Sequence, residues 1–146
     1  MSSRNYLVIL DESKEMDVAL QFACVRAKKT NGHLILASFI KPIDVLTTKS
    51  IGDIMKNESR EEAETLLHKS SAFVKEETGI TPTLFVREGD LVEELIKLIE
   101  EVKNISVLVL ASSIEEKKIP GPIINSILTK NHSRLNIPVM IVPGNF

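Results

Sequence analysis

Asp11 and Glu12 stand side by side directly after a short apolar run, Tyr6–Leu10. Two carboxylates at the end of a strand could ligate Mg²⁺ through hard oxygen donors. Phospho-acceptor chemistry of the response-regulator type would also need an aspartate ending the third strand and a lysine ending the fifth. Here the fifth apolar run, Val139–Val142, is followed by Pro143-Gly144, and Asp90 after Gly89 reads as a helix cap. That chemistry is therefore not assembled. His33, His68 and His132 are scattered along the chain and read as surface or helix-end residues. Cys24 is the one cysteine; it forms no internal disulfide and no cysteine-rich zinc site, and reads as a small buried residue. There is no G-x-S-x-G elbow, no Walker A motif and no G-x-G-x-x-G. Glu115-Glu116-Lys117-Lys118 reads as a solvated loop, with Lys117 and Lys118 facing phosphate as the minor alternative.

The elements that must position these residues follow from hydrophobic pattern. Five apolar runs, Tyr6–Leu10, Leu34–Ile40, Thr83–Val86, Ile105–Ala111 and Val139–Val142, show little polar alternation. Such runs suit parallel strands covered on both faces. Between them lie four helical segments. The first carries Ala19, Ala23 and Ala27 at i, i+4, i+8, with Ser13 as N-cap and Gly32 past its end. The second runs roughly from Ser50 to Thr78 and stops at Gly79, entered through a weakly periodic loop, Pro42–Lys56. The third has an Asp90/Glu93 capping box and an apolar face of Val92, Leu95, Ile96 and Ile99. The fourth is expected from Pro122 to about Ser133, entered by Pro120-Gly121-Pro122. Strict alternation of strand and helix predicts an α/β fold: a doubly wound open sheet of five parallel strands. Ligands then sit at the carboxyl ends of the strands, where the winding reverses. With the first strand central, that crevice is framed by Leu10–Ser13, by Ala111–Ser113 with the loop Ile114–Gly121, and by Asn125 and Ser126.

Composition narrows the function classes. The chain has 146 residues, with no internal repeat, and is expected to form one domain over residues 1–146. Eighteen Lys and Arg against twenty Asp and Glu give a net charge of −2, which excludes a nucleic-acid binder held by bulk charge. No apolar stretch approaches the roughly 20 residues that cross a bilayer, and no signal peptide is visible, so the expectation is a cytoplasmic protein without membrane contact. Only 4% of residues are aromatic, so the core must be aliphatic.

Five signatures in order resemble the universal stress protein A-like family, over nearly the whole chain. Leu7–Ser13 is similar to the family's opening strand and V-D-x-S turn. Ala19–Gly32 resembles its Ala-rich first helix, and Gly89-Asp90 with Glu93 and Leu95-Ile96 its G-D-x-x-E-x-I segment. Val107–Ser112 occupies the place of the strand that ends in Met-Gly, and Ile137–Val142 resembles the closing C-P-V-L-V-V strand. The resemblance implies a five-stranded Rossmann-like sheet of order 3-2-1-4-5 with four helices. It also implies a homodimer paired through the last strand, here Val139, Met140, Ile141 and Val142.

The family divides into ATP-binding and non-binding groups, and the binders carry G-x-x-G-x(9)-G-[S/T] after the fourth strand. Glycines there let the backbone approach phosphates. In this chain the three glycine positions hold Ser112, Glu115 and Asn125, and only the hydroxyl survives, as Ser126. A Glu115 carboxylate about 4 Å from a phosphate oxygen would repel it by about 4 kcal/mol at an effective dielectric of 20. That offsets much of a micromolar affinity. If a nucleotide binds, the resemblance implies Asp11 on the base or ribose side and Phe39 at the adenine. Ser112, Asn125 and Ser126 would face phosphates, with Ala111, Glu115 and Ile127 alongside. Phe39 could stack on a base or fill the pocket; with a degenerate loop, filling is expected. The leading expectation is a regulatory or interaction domain that is not an enzyme, has no resident cofactor, binds ATP weakly or not at all, and meets an unidentified protein partner. The alternative is a genuine ATP-binding domain with a variant loop. Hydrolysis would have only Asp11 or Glu12 as a base.

Overall fold

The structure, a computed structural model, describes residues 4–11, 14–41, 49–112, 122–127, 129 and 132–144. Five strands, β1 (Asn5–Leu10), β2 (His33–Ile40), β3 (Thr83–Glu88), β4 (Val107–Ala111) and β5 (Val139–Val142), pair in parallel in the order β3-β2-β1-β4-β5. Four helices connect them: α1 (Lys14–Thr30), α2 (Lys49–Thr78), α3 (Leu91–Glu101) and α4 (Pro122–Ser126). The sheet is therefore the doubly wound one that the alternation predicts.

Side chains divide between two apolar layers. On one face Tyr6, Val8, Leu36 and Val109 pack under Ala19, Ala23 and Ala27 of α1 and Leu67 and Val74 of α2. The alanine stripe lets α1 lie close on the sheet. On the other face Leu7, Ile9, Ala37 and Leu108 meet Leu95 and Leu98 of α3 and Ile124 of α4. Burying each leucine on both layers stabilises the fold by roughly 1.5–3 kcal/mol.

Turns fix the register. Helix α1 ends with Asn31 in the left-handed region (φ 58°), and the Gly32 N–H donates to the Ala27 carbonyl at 2.8 Å. This closes the helix as a Schellman motif in which Asn31 takes the position usually held by glycine. Gly32 is small for a different reason: a Cβ there would lie 2.5 Å from the Arg4 carbonyl oxygen. That oxygen accepts from His33 N at 2.8 Å and so sets β1 against β2. Gly89 (φ 145°) donates to the Ile40 carbonyl at 2.9 Å, tying the ends of β2 and β3, and Asp90 then caps α3.

Three local expectations are corrected. The segment Pro42–Lys56 is not a loop throughout, because α2 begins at Lys49. Ile51, Ile54 and Met55 fall at i, i+3, i+4, a helical spacing that the flanking polar residues obscure. The regular α-helix at Pro122 ends at Ser126, and the helical course expected to about Ser133 goes on as π-helical turn at Ile127 and Thr129 and as a 3-10 turn over His132–Arg134. Thr129 Oγ1 donates to the Asn125 carbonyl at 2.6 Å, a bond to the residue four earlier of the kind that bends a helix, here within the π-helical turn. The capping box is half formed. Asp90 Oδ2 accepts from Glu93 N at 3.1 Å, but the Glu93 carboxylate turns to Arg134 in a two-pronged pair at 2.6 and 2.9 Å. That pair clamps the turn before β5 onto the start of α3, and the Arg134 hydrogen bond holds the Glu93 carboxyl below the usual carboxylate range. Ser13, expected to cap α1, lies outside the described residues.

Candidate functional site

Strand β1 runs to Leu10 and β4 to Ala111, yet their pairing ends at Val8 opposite Val109. Beyond that pair the two central strands no longer hydrogen-bond as a ladder, at the winding reversal where open α/β sheets accept ligands. Asp11 follows β1 and is exposed. The Leu10–Ser38 pairing brings Asp11 and Phe39 to the same end of the sheet, one residue further on. Phe39 is half-buried and packs into the α3/α4 layer. Ala111 pairs with Val142, and the Ser112 N–H donates to the Val142 carbonyl at 2.8 Å. On α4, Asn125 is exposed and Ser126 half-buried, while Ile127 just beyond is buried in the α3/α4 layer. Glu12 and Glu115 lie outside the described residues.

A cleft of about 340 Å³ opens beside this crevice, on the α2 side of the sheet. The carboxyl ends of β1 and β2 supply Leu10, Asp11, Ser38, Phe39, Ile40 and Lys41. Helix α2 supplies Ser59, Glu62, Ala63 and Leu66. Side chains alternate along β2, so Ser38 and Ile40 face α2 while Phe39 faces the opposite layer. Ser38 is only 5% exposed. Sequence reasoning missed Ser38, Lys41, Ser59 and Glu62. The signal for Ser38 was a polar residue inside the otherwise apolar run LILASFI. Ser59 and Glu62 carry none, because nothing local says that α2 overhangs β2.

The other reactive groups are explained by structure. Cys24 is 2% exposed, and burial, with the Glu77 carboxylate adding to it, pushes its thiol up to about 11. Such a thiol is a poor nucleophile near neutral pH. His33 and His68 are exposed. No group of three or more His, Cys, Asp or Glu among the described residues is arranged to hold a metal ion. No helix among them is long and apolar enough to cross a membrane.

At the far edge of the sheet, β5 pairs only with β4 among the described strands, and its Ile141 is 42% exposed. Val139 and Met140 are half-buried and Val142 is buried.

Comparison with known proteins agrees with this architecture. A chain described as universal stress protein UspA from Lactobacillus plantarum superposes with a TM-score of 0.83 at 13% identity, covering 97% of this chain and 99% of that one. A universal stress protein described in complex with cAMP matches with a TM-score of 0.67 at 21% identity, covering 99% of each chain. One from Archaeoglobus fulgidus, described in complex with dAMP, matches with a TM-score of 0.64 at 17% identity, covering 97% of this chain and 98% of that one. A sequence search of curated proteins finds no significant match. Structural likeness at such identities carries the fold alone. The sequence model described as the universal stress protein family matches residues 3–143, and the chain belongs to that family.

Proposed function

We propose that this chain is a non-catalytic regulatory or interaction domain that pairs with a second copy through β5 and binds ATP weakly or not at all. The observation that carries this reading is the phosphate side of the crevice. Ser112, Glu115 and Asn125 stand where the binding members have glycine, and the Ser112 N–H is already committed to the Val142 carbonyl. A phosphate oxygen would have to displace that bond, and a buried backbone group left unpaired costs about 1–3 kcal/mol. The ring of Phe39, packed into the α3/α4 layer, supports the view that it fills space a base would take.

A second reading keeps nucleotide binding, through Asp11 on the base or ribose side and Ser112, Asn125 and Ser126 on phosphate. It draws support from the relatives described as cAMP and dAMP complexes. Two measurements separate the readings: release of adenine nucleotide from the purified, denatured protein, and calorimetric titration with ATP-Mg²⁺. No released nucleotide and no saturable heat are expected on the first reading. A micromolar constant would establish the second.

Homodimerisation rests on the edge strand. An uncovered Val-Met-Ile-Val edge invites pairing with other chains, and a twofold antiparallel match of β5 with itself would cover it.

A further inference from the structure

Strand β5 alone is a small interface. Specific contacts between chains bury about 800 Å² on each partner, from roughly 20–30 residues, and β5 supplies 4 residues. A stable dimer centred on this edge must therefore take in more of the surface around it. The apolar surface next to β5 belongs to α1. Cys24 feels the Glu77 carboxylate of α2, so that side of α1 faces α2. At about 100° per residue, Val18, Phe22 and Arg26, spaced i, i+4, i+8, fall on the other side, where α1 reaches β5. Val18 and Phe22 are half-buried and pack on the same layer as Met140 of β5. Beside them Val25 is 49% exposed; it and Ile141 are the large apolar side chains left exposed among the described residues.

Arg26 ends that stripe with an unpaired donor. Its side chain is half-buried, and Nε is shut off from water with no hydrogen-bond partner, the one such side-chain atom among the described residues. Buried polar groups are nearly always paired, so this arrangement is an unfavourable one for the single chain. Helix α1 runs opposite to the strands, and Thr30, one turn beyond Arg26, bonds Tyr6 near the start of β1. Arg26 therefore stands over the amino-terminal end of the sheet. In a twofold antiparallel match of β5 with itself, that end receives the carboxyl end of the partner's β5 and the Pro143-Gly144 segment after it. Proline brings a carbonyl there and no competing N–H.

We propose that the interface with a second copy extends from β5 onto this flank of α1. Val18, Phe22 and Val25 cover the apolar face of the partner's β5, and Arg26 donates to a carbonyl of the segment that follows it. The guanidinium turns outward to do so, which relieves the unpaired Nε–H. The inference rests on pairing through β5 and adds a second surface to it. Twofold symmetry makes each of these contacts twice.

Sedimentation equilibrium of the full chain gives the dimer dissociation constant for the wild type and three variants. Ile141→Lys reads the β5 edge. Val25→Glu and Arg26→Met read the α1 flank; glutamate suits a helix but brings a charge, and methionine keeps an apolar stem while removing every donor. Val25→Glu should weaken the dimer about tenfold, as for an apolar contact replaced by a charge. Arg26→Met should weaken it about ten- to a hundredfold, the size of one hydrogen bond from a charged group. Urea unfolding at a concentration where the wild type is monomeric controls for folding. There Val25→Glu should match the wild type, and Arg26→Met should match or exceed it, because an unpaired buried N–H is gone. An unchanged dissociation constant in either α1 variant, with Ile141→Lys still monomeric, would overturn the α1 extension and leave pairing through β5 standing. A lower unfolding midpoint for Arg26→Met with an unchanged dissociation constant would make Arg26 a brace within one chain. A monomeric wild type, or a dimer indifferent to Ile141→Lys, would remove the pairing through β5 and this inference with it.

Discussion

Replacing Gly32 by alanine tests the way β1 and β2 are brought together. The new Cβ would lie 2.5 Å from the Arg4 carbonyl oxygen and 3.1 Å from the Tyr6 ring. The oxygen is backbone, and it is held by the His33 N–H at 2.8 Å. It cannot rotate away as a flexible side chain would; it can retreat only by moving the start of β1, which pairs Asn5 with His33. Overpacking of this kind costs about 1–3 kcal/mol, and a rigid obstacle places the change in the upper half of that range. Gly79 supplies the control. It has φ 75° and nothing within 4 Å of a built Cβ, so Gly79→Ala meets only left-handed strain, worth roughly 1–2 kcal/mol before a gain of about 0.4–1 kcal/mol from stiffening the unfolded chain. Urea unfolding followed by circular dichroism measures both. Gly32→Ala should lower the midpoint more than Gly79→Ala, with the slope unchanged. A Gly32→Ala loss below that of Gly79→Ala would refute the close-approach argument.

Cys24 gives a pH prediction. Its thiol is raised from 9.0 to about 11 in the fold, first by burial and then by Glu77. A raised folded pKa means the native state holds its proton longer, so this contribution is complete below pH 9 and is lost as pH rises towards 11. The wild type should therefore lose stability faster over that window than Cys24→Ala, read as unfolding midpoints across pH; parallel profiles would contradict the burial. Asp90→Ala removes the cap bond to Glu93 N and should cost about 0.5–2 kcal/mol in chemical denaturation. A neutral result would mean that the Glu93–Arg134 clamp alone fixes the start of α3. Ile141→Lys places a charge at the exposed edge of β5 and should yield monomer in sedimentation velocity; an unchanged dimer would show that another surface is used.

The layers were legible because burial on both faces leaves runs such as YLVIL and VLVLA without polar alternation, and a parallel strand is their natural reading. Helix α3 was legible because cap and apolar face coincide within a dozen residues. Other features were hidden for physical reasons. The Arg134–Glu93 clamp joins residues 41 apart in sequence, so nothing local announces it. Gly32 looked like a helix terminator, but Asn31 takes the left-handed position and the glycine serves the Arg4 carbonyl instead. The start of α2 is obscured because Ser50, Gly52 and Asp53 weaken helix propensity while Ile51, Ile54 and Met55 keep the period. At the crevice, the order of the strands is what the family resemblance implies, and with it the meeting of Asp11 and Phe39. The cleft under α2 does not, since Ser38 and Glu62 meet only through tertiary packing.

The central claim concerns ATP, and isothermal calorimetry of the full chain with ATP-Mg²⁺ tests it most directly. On the proposed reading, Ser112, Glu115 and Asn125 at the loop positions and the engaged Ser112 N–H predict no saturable heat with nucleotide at micromolar concentration. A constant in the micromolar range or below would contradict the account, and would show that Asn125 and Ser126 hold phosphate without the glycines.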